Sequence, residues 1–170
     1  GTASEPDHEL VWLTAEEATA KLRYGSQRWA LRQARGMTDI SLVPIDRDGT
    51  PRSDAGALAA GTVEVLQATA ALYERAGFEA PWICYLALSG LTVIGTCGFT
   101  SPPADGRVEI AYYTFPDFEG CGHATAMAAR LVAIAEQQGT PVEVMARTLP
   151  ERNASHRVLE KLGFHYVATL

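Results

Sequence analysis

The chain has 170 residues, of which 47% are hydrophobic and 20% are charged, and its formal net charge is -6. This length suits one compact domain and is short for two. The negative charge argues against a nucleic-acid surface, and the apolar runs are far shorter than the ~20 residues of a membrane helix. We therefore expect a single-domain cytoplasmic protein with no nucleic-acid and no membrane partner, in which residues 1–10 form a flexible leader.

The cysteines and histidines do not suggest a metal site. Cys84, Cys97 and Cys121 are odd in number and widely spaced, without a Cys-x-x-Cys pair. The four histidines are equally scattered, and none forms the spaced pair of a helical zinc site. We expect reduced thiols and no metal.

Two helices are predicted in the first half of the chain. Residues 14–17, Thr-Ala-Glu-Glu, have the spacing of a capping box, which predicts a helix over about 15–23. Residues 40–45 form a short apolar run inside a segment rich in turn residues, so they indicate a loop with a possible strand. The Ala-rich segment 55–75 predicts a second, longer helix that continues through Gly61.

The second half begins with a predicted antiparallel meander. Residues 82–88, 91–100 and 107–114 have strand composition and are separated by short segments that contain glycine or proline. Short connections of this kind join antiparallel neighbours in a sheet. We therefore expect three consecutive strands to pair in chain order.

Helices and strands alternate after the meander. Apolar residues recur at helical spacing from Ala124 to Ala135, a strand is predicted over 141–148, and a second helical stripe covers 155–162 and ends at Gly163 as a left-handed cap. Residues 165–170 are a final short strand. The fold class expected is α/β (α+β): a mixed, mostly antiparallel sheet with helices packed on both faces.

A glycine-rich turn lies between the last strand of the meander and the following helix. Residues 119–124 read Glu-Gly-Cys-Gly-His-Ala. Free backbone N-H groups and the positive end of a helix dipole meet at such a point, which suits an anion. The spacing is neither that of a Rossmann fingerprint nor that of a Walker loop. A turn that simply requires glycine remains the alternative.

With the flanking segments, this turn resembles the GNAT superfamily of N-acetyltransferases. Residues 94–99 resemble the family's third strand, residues 108–112 its fourth, and residues 153–164 its last helix with a Gly-Phe ending. The resemblance covers about residues 80–166. The last helix is most similar to the ribosomal-protein N-terminal acetyltransferase branch.

The resemblance implies acetyl-CoA as cosubstrate and a set of residues that bind it. In the family, this strand edge binds the pantetheine arm, and the glycine turn binds the pyrophosphate. Carried over by position, the cofactor-binding residues are Ile110, Ala111, Tyr112, Glu119, Gly120, Cys121, Gly122, His123, Ala124, Thr125, Asn153 and Ser155.

The resemblance also implies an N-acetyltransferase in which a primary amine attacks acetyl-CoA directly, through a tetrahedral intermediate. Glu109 is then the general base and Ser155 the group that hydrogen-bonds the leaving thiolate. A solvent-facing strand carboxylate and a serine in the first turn of a helix are the alternatives. Many relatives use a Tyr as acid where this chain has Leu159.

A second class of function stays open. Glu119 stands where the family usually has Gln or Arg, and Asn153 lies two residues before Ser155 where the branch more often has three. These departures suit a non-catalytic acyl-CoA-binding or regulatory module of the same fold. For an active enzyme, the acceptor is an amine on a protein N-terminus or on a small molecule, and a homodimer could complete the acceptor site.

Overall fold

The structure is a computed structural model that describes residues 9–14, 39–53 and 61–169. The helix predicted over 15–23 and the first part of the one predicted over 55–75 lie outside the described residues. The elements in chain order are β1 (Leu10–Thr14), β2 (Ser41–Pro44), α1 (Thr62–Ala76), β3 (Cys84–Ser89), β4 (Thr92–Phe99), β5 (Arg107–Thr114), a 3-10 turn (Pro116–Phe118), α2 (His123–Glu136), β6 (Glu143–Thr148), α3 (Ala154–Lys161) and β7 (Phe164–Thr169).

The seven described strands form one sheet in the order β2-β3-β4-β5-β6-β1-β7. Every neighbouring pair is antiparallel except β5 and β6, which run parallel. The predicted meander is β3-β4-β5, and its three strands pair in chain order as expected. The predicted fold class, a mixed and mostly antiparallel sheet with packed helices, is confirmed.

The strand β1 was not predicted from the sequence. It lies between β6 and β7 and is antiparallel to both. Val11 and Trp12 are buried, and Trp12 Nε1 donates a hydrogen bond of 3.0 Å to Thr148 Oγ1. Leu10, assigned above to a flexible leader, begins this strand, so the leader prediction is wrong at that residue.

Gly61 is not part of the second predicted helix. Gly61 has φ of 90°, a left-handed conformation that a right-handed helix excludes, and the helix therefore starts at Thr62. The prediction of a helix continuing through Gly61 is wrong at this point. Tyr73 ties the helix to the sheet, since its hydroxyl donates to Ile45 O at 3.0 Å and accepts from Cys84 N at 2.8 Å.

The apolar stripes predicted for the two later helices are confirmed. The helix α2 buries Met127 and Leu131 completely and packs against β4 and β5. The helix α3 buries Leu159 and packs against α2 and β7. Gly163 follows α3 with φ of 80°, the left-handed conformation expected of it. Of the described helices, none is long and apolar enough to cross a membrane.

Candidate active site

The strands β5 and β6 separate halfway along their length. They pair only over residues 107–109 and 143–145, although β5 continues to Thr114 and β6 to Thr148. On its other edge, β5 stays paired with β4 as far as Thr114. Beyond these positions the two strands are no longer paired, and we call the gap between residues 110–114 of β5 and 146–148 of β6 the cleft.

Backbone groups of β5 face the cleft at alternate residues. Glu109 O accepts from Thr100 N at 3.0 Å, so the backbone of Glu109 faces β4. Since successive residues of a strand direct their N-H and C=O groups to opposite edges, Ile110 and Tyr112 face the cleft and Ala111 faces β4. Of the three residues carried over from the family to this edge, two have the right orientation, and the backbone of Ala111 does not.

Unpartnered polar atoms are concentrated beside the cleft. In the part of the chain that the structure describes, three buried side-chain atoms have no hydrogen-bond partner: Tyr112 Oη, Thr114 Oγ1 and His123 Nδ1. Two belong to the separated half of β5, and the third belongs to the first residue of α2, the helix that packs on β5. Buried polar groups are normally paired, so a cluster of exceptions marks a place where a polar ligand or water can bind.

The glycine turn is exposed and leaves the start of α2 uncapped. Gly120 has φ of 76° and Gly122 has φ of 79°. No side chain caps the helix, and its first backbone bond runs from Ala126 N to Gly122 O, so the N-H groups of residues 123–125 lack partners within the helix. A Cβ placed on Gly120 would meet nothing within 4 Å. This geometry suits an anion close to the backbone.

The other side chains of the turn take different positions. Glu119 is exposed, so its carboxylate can remain hydrated beside the turn. Cys121 is also exposed, and its Sγ lies 3.6 Å from Glu119 O. The ring of His123 is buried instead of facing solvent. In this turn, the backbone N-H groups are therefore the ones available to a ligand, and the His123 ring is directed towards the protein interior.

Glu109 occupies the last paired position before the cleft, opposite Met145. Its carboxylate lies 3.6 Å from Arg147 Nε, and Arg147 also approaches Glu9, at 3.7 Å. Partial burial raises the pKa of Glu109 above its ordinary value, although the Arg147 guanidinium opposes that shift. A carboxylate with a raised pKa at the mouth of a cleft is suited to accept a proton. Sequence reasoning missed Arg147 and Glu9.

Asn153 acts as the N-cap of α3. Its Oδ1 accepts hydrogen bonds from Ser155 N at 2.9 Å and His156 N at 3.3 Å, so this side chain satisfies backbone donors at the start of the helix. Ser155 follows in the first turn of α3. Burial raises the pKa of Tyr112 to about 12, and the neighbouring Ser155 opposes that shift.

The sequence-predicted residues lie on β5, on the glycine turn and at the N-terminal ends of α2 and α3. The glycine turn leads directly into the helix that packs on β5. Leu159, where many relatives have a tyrosine, is completely buried and offers no hydroxyl. Within residues 9–14, 39–53 and 61–169, no group of three His, Cys, Asp or Glu side chains could hold a metal ion.

Residues 5–165 match the acetyltransferase (GNAT) domain family. No curated protein matches the chain. Among solved structures, an acetyltransferase from the GNAT family from Colwellia psychrerythraea has a TM-score of 0.57 at 13% identity, covering 96% of this chain and 54% of that one.

Two further solved structures share the fold. A putative acetyltransferase from the GNAT family from Novosphingobium aromaticivorans DSM 12444 has a TM-score of 0.56 at 15% identity, over 96% of this chain and 61% of that one. A GCN5-related N-acetyltransferase from Sphaerobacter thermophilus has a TM-score of 0.52 at 15% identity, over 97% of this chain and 50% of that one. The chain thus spans less than two thirds of the length of these structures, and at such identities the likeness concerns the fold.

Proposed function

The chain belongs to the GNAT acetyltransferase family, and on that premise we propose that it transfers an acetyl group from acetyl-CoA to a primary amine. The observation that carries the proposal is the cleft between β5 and β6, bordered by unpartnered polar atoms and adjoining an uncapped glycine turn. A long polar ligand would find backbone donors along the edge of a strand in this arrangement. It would also find an anion site at the start of a helix.

Acetyl-CoA fits these features in two parts. The pyrophosphate would bind the backbone N-H groups of the turn and of residues 123–125, where Gly120 leaves open space. The pantetheine arm would run along the cleft-facing backbone of Ile110 and Tyr112. Acetyl-CoA supplies an activated thioester, and on this assignment its acetyl end would lie near Glu109.

For this reaction, the protein must remove a proton from the amine and stabilise the negative charge that forms on the carbonyl oxygen. Glu109 accepts the proton that the amine loses as it attacks the acetyl carbonyl carbon and a tetrahedral intermediate forms. A cleft-facing backbone N-H of β5 stabilises the oxyanion, and Ser155 hydrogen-bonds the departing sulfur. Arg147 holds the Glu109 carboxylate in place and favours its ionised form.

The site suits two classes of acceptor, an amine at a protein N-terminus and an amine on a small molecule. The similarity of the last helix to the ribosomal-protein N-terminal acetyltransferase branch favours a protein N-terminus. Two acidic side chains, Glu9 and Glu109, face one Arg147 at the mouth of the cleft. An excess of acidic groups there favours a cationic acceptor, and a homodimer would be one way to complete its binding site.

A non-catalytic acyl-CoA-binding module remains the second candidate. Leu159 is completely buried where many relatives place a catalytic tyrosine, so α3 lacks that proton donor. The exposed carboxylate of Glu119 beside the turn also suits a weaker coenzyme site. Such a module would bind acetyl-CoA and release no thiol with any amine.

Thiol release from acetyl-CoA, measured over a panel of amines, tests the proposal. We expect turnover that rises with pH as Glu109 loses its proton, with a midpoint above the ordinary value of 4.5 because burial raises the pKa of Glu109. Glu109→Gln should lower kcat/KM on the order of 100-fold and abolish that rise, since the amide cannot accept a proton.

Glu136→Gln is the matched control. Burial also raises the pKa of Glu136, but this residue ends α2, far along the helix from the glycine turn. Its substitution should leave turnover unchanged. Wild-type protein that binds acetyl-CoA but acetylates no amine would support the binding module instead, and a failure to bind acetyl-CoA would defeat both candidates.

A further inference from the structure

We propose that Glu9 is a positioning residue, which shares the Arg147 guanidinium with Glu109 and so keeps that guanidinium from closing on the Glu109 carboxylate. Arg147 then orients Glu109 without tying up the oxygen that takes the proton of the acceptor amine. This inference rests on the proposed function. It adds to the site a residue that directly precedes β1.

The first observation is that the three side chains lie on one face of the sheet. Glu109 stands opposite Met145 of β6, and Arg147 follows Met145 by two residues. Arg147 stands opposite Val11 of β1, and Glu9 precedes Val11 by two residues. Side chains two residues apart along a strand share a face, so the two carboxylates approach Arg147 from the strands on either side of it.

The second observation is how far apart the charged atoms lie. Arg147 Nη1 is 3.7 Å from Glu9 Oε2, and Arg147 Nε is 3.6 Å from Glu109 Oε2. Both distances exceed the roughly 2.7 to 3.2 Å of an N-H···O hydrogen bond. The other charged pair on this face is closed, with Arg107 Nε 2.7 Å from Glu143 Oε2. The shared guanidinium is therefore held between two carboxylates and closes on neither.

The electrostatic influences on Glu109 agree with this arrangement. Burial is the largest cause that raises the pKa of Glu109, whereas Arg147 lowers that pKa and Glu9 raises it. Thr100 also lowers it. A guanidinium that closed on Glu109 would stabilise the carboxylate further and weaken it as a base. By sharing Arg147, Glu9 preserves the proton affinity that the reaction requires.

Glu9 also keeps Arg147 paired during proton transfer. The amine forms a C-N bond to the acetyl carbonyl carbon, its proton passes to Glu109, and the C-S bond breaks with its electron pair passing to sulfur. The thiolate takes a proton from solvent, and Glu109 returns one to solvent before the next turnover. While Glu109 is neutral, Glu9 remains the charged partner of Arg147.

A titration of the Glu109 carboxyl group, followed by NMR with isotope-labelled glutamate, tests the inference without requiring turnover. The signal is identified by its absence in Glu109→Gln. We expect Glu9→Gln to lower the titration midpoint by about 0.5 pH unit, because Arg147 can then close on Glu109 and a like charge is lost. Arg147→Met should raise the midpoint. In an Arg147→Met background, Glu9→Gln should move it by less than half as much, because Glu9 acts mainly through Arg147.

The pH dependence of thiol release is the second readout. Its midpoint should move in the same direction as the NMR midpoint in each single variant. For Glu9→Gln, KM for acetyl-CoA and the thermal midpoint should stay unchanged, because the amide keeps the shape of the side chain.

Glu160→Gln is the matched control. Glu160 lies on α3 in an ion pair with Arg152, and its side chain is 44% exposed, against 46% for Glu9. Its substitution should leave both midpoints unchanged. An unchanged NMR midpoint in Glu9→Gln, or an equal displacement with and without Arg147, would overturn the positioning role alone. A wild-type protein that releases no thiol would instead defeat the proposed function, and with it the role of Glu109 as base.

Discussion

The two halves of β5 differ in what they do with their polar groups. In the closed half, residues 107–109, one edge of the strand pairs with β6, and the other edge makes backbone hydrogen bonds to Thr100 and Ala104. Arg107 also forms an ion pair of 2.7 Å with Glu143 of the neighbouring strand. In the open half, residues 110–114, the edge facing β6 is unpaired, and Tyr112 and Thr114 each keep a buried oxygen without a partner.

Both halves belong to one strand, in which side chains alternate regularly between the two faces. Local sequence preference therefore does not explain the contrast between them. The closed half is completed by β6, and its polar groups are satisfied inside the protein. The open half keeps buried polar groups without a partner, and a molecule from outside can pair them. The difference indicates that the closed half contributes to stability and the open half to ligand binding.

The larger expected effect concerns the closed half. Val108 is buried between core residues, and Val108→Ala should lower the free energy of unfolding by about 2 kcal/mol through lost burial and a residual cavity. Chemical denaturation measures it. Val167→Ala, in β7 and 51% exposed, is the control and should change stability by less than about 0.5 kcal/mol. Equal losses of unfolding free energy in Val108→Ala and Val167→Ala would contradict the stabilising role given to the closed half.

The smaller expected effect, of opposite sign, concerns the open half. Thr114→Val replaces a buried, unpartnered hydroxyl by a methyl group of similar size, so it should raise the free energy of unfolding by about 1 kcal/mol. The same denaturation experiment, performed without coenzyme, checks this. A loss of stability comparable to that of Val108→Ala would mean that the open half is packed as fully as the closed half.

The parts of the fold that depend on local signals were predictable. The bounds of β5 were predicted as observed, because turn residues flank an uninterrupted strand pattern. The apolar stripe of α2 and the left-handed Gly163 after α3 also follow from spacing alone. The glycine turn was found for the same reason, since its conformation is encoded by Gly120 and Gly122.

The parts that depend on distant partners were not predictable. The run Leu10–Thr14 reads weakly as a strand, and its burial on both faces comes from β6 and β7, more than 130 residues later. Four consecutive apolar residues, 10–13, were the available signal, because a central strand is apolar on both faces. The pairing of Arg147 with Glu109 required the register of β5 against β6, which no local pattern specifies.

Calorimetric binding of acetyl-CoA to Gly120→Trp and Gly106→Trp tests the central claim most directly. The two glycines have φ of 76° and 74°, and a Cβ at either one meets nothing within 4 Å, so the substitutions strain the backbone alike. Only Gly120 lies at the start of α2. We predict wild-type affinity for Gly106→Trp and a loss of at least about 100-fold for Gly120→Trp, because the indole would occupy the anion site. Equal affinities in the two variants, or no binding by the wild type, would contradict a coenzyme site at this turn.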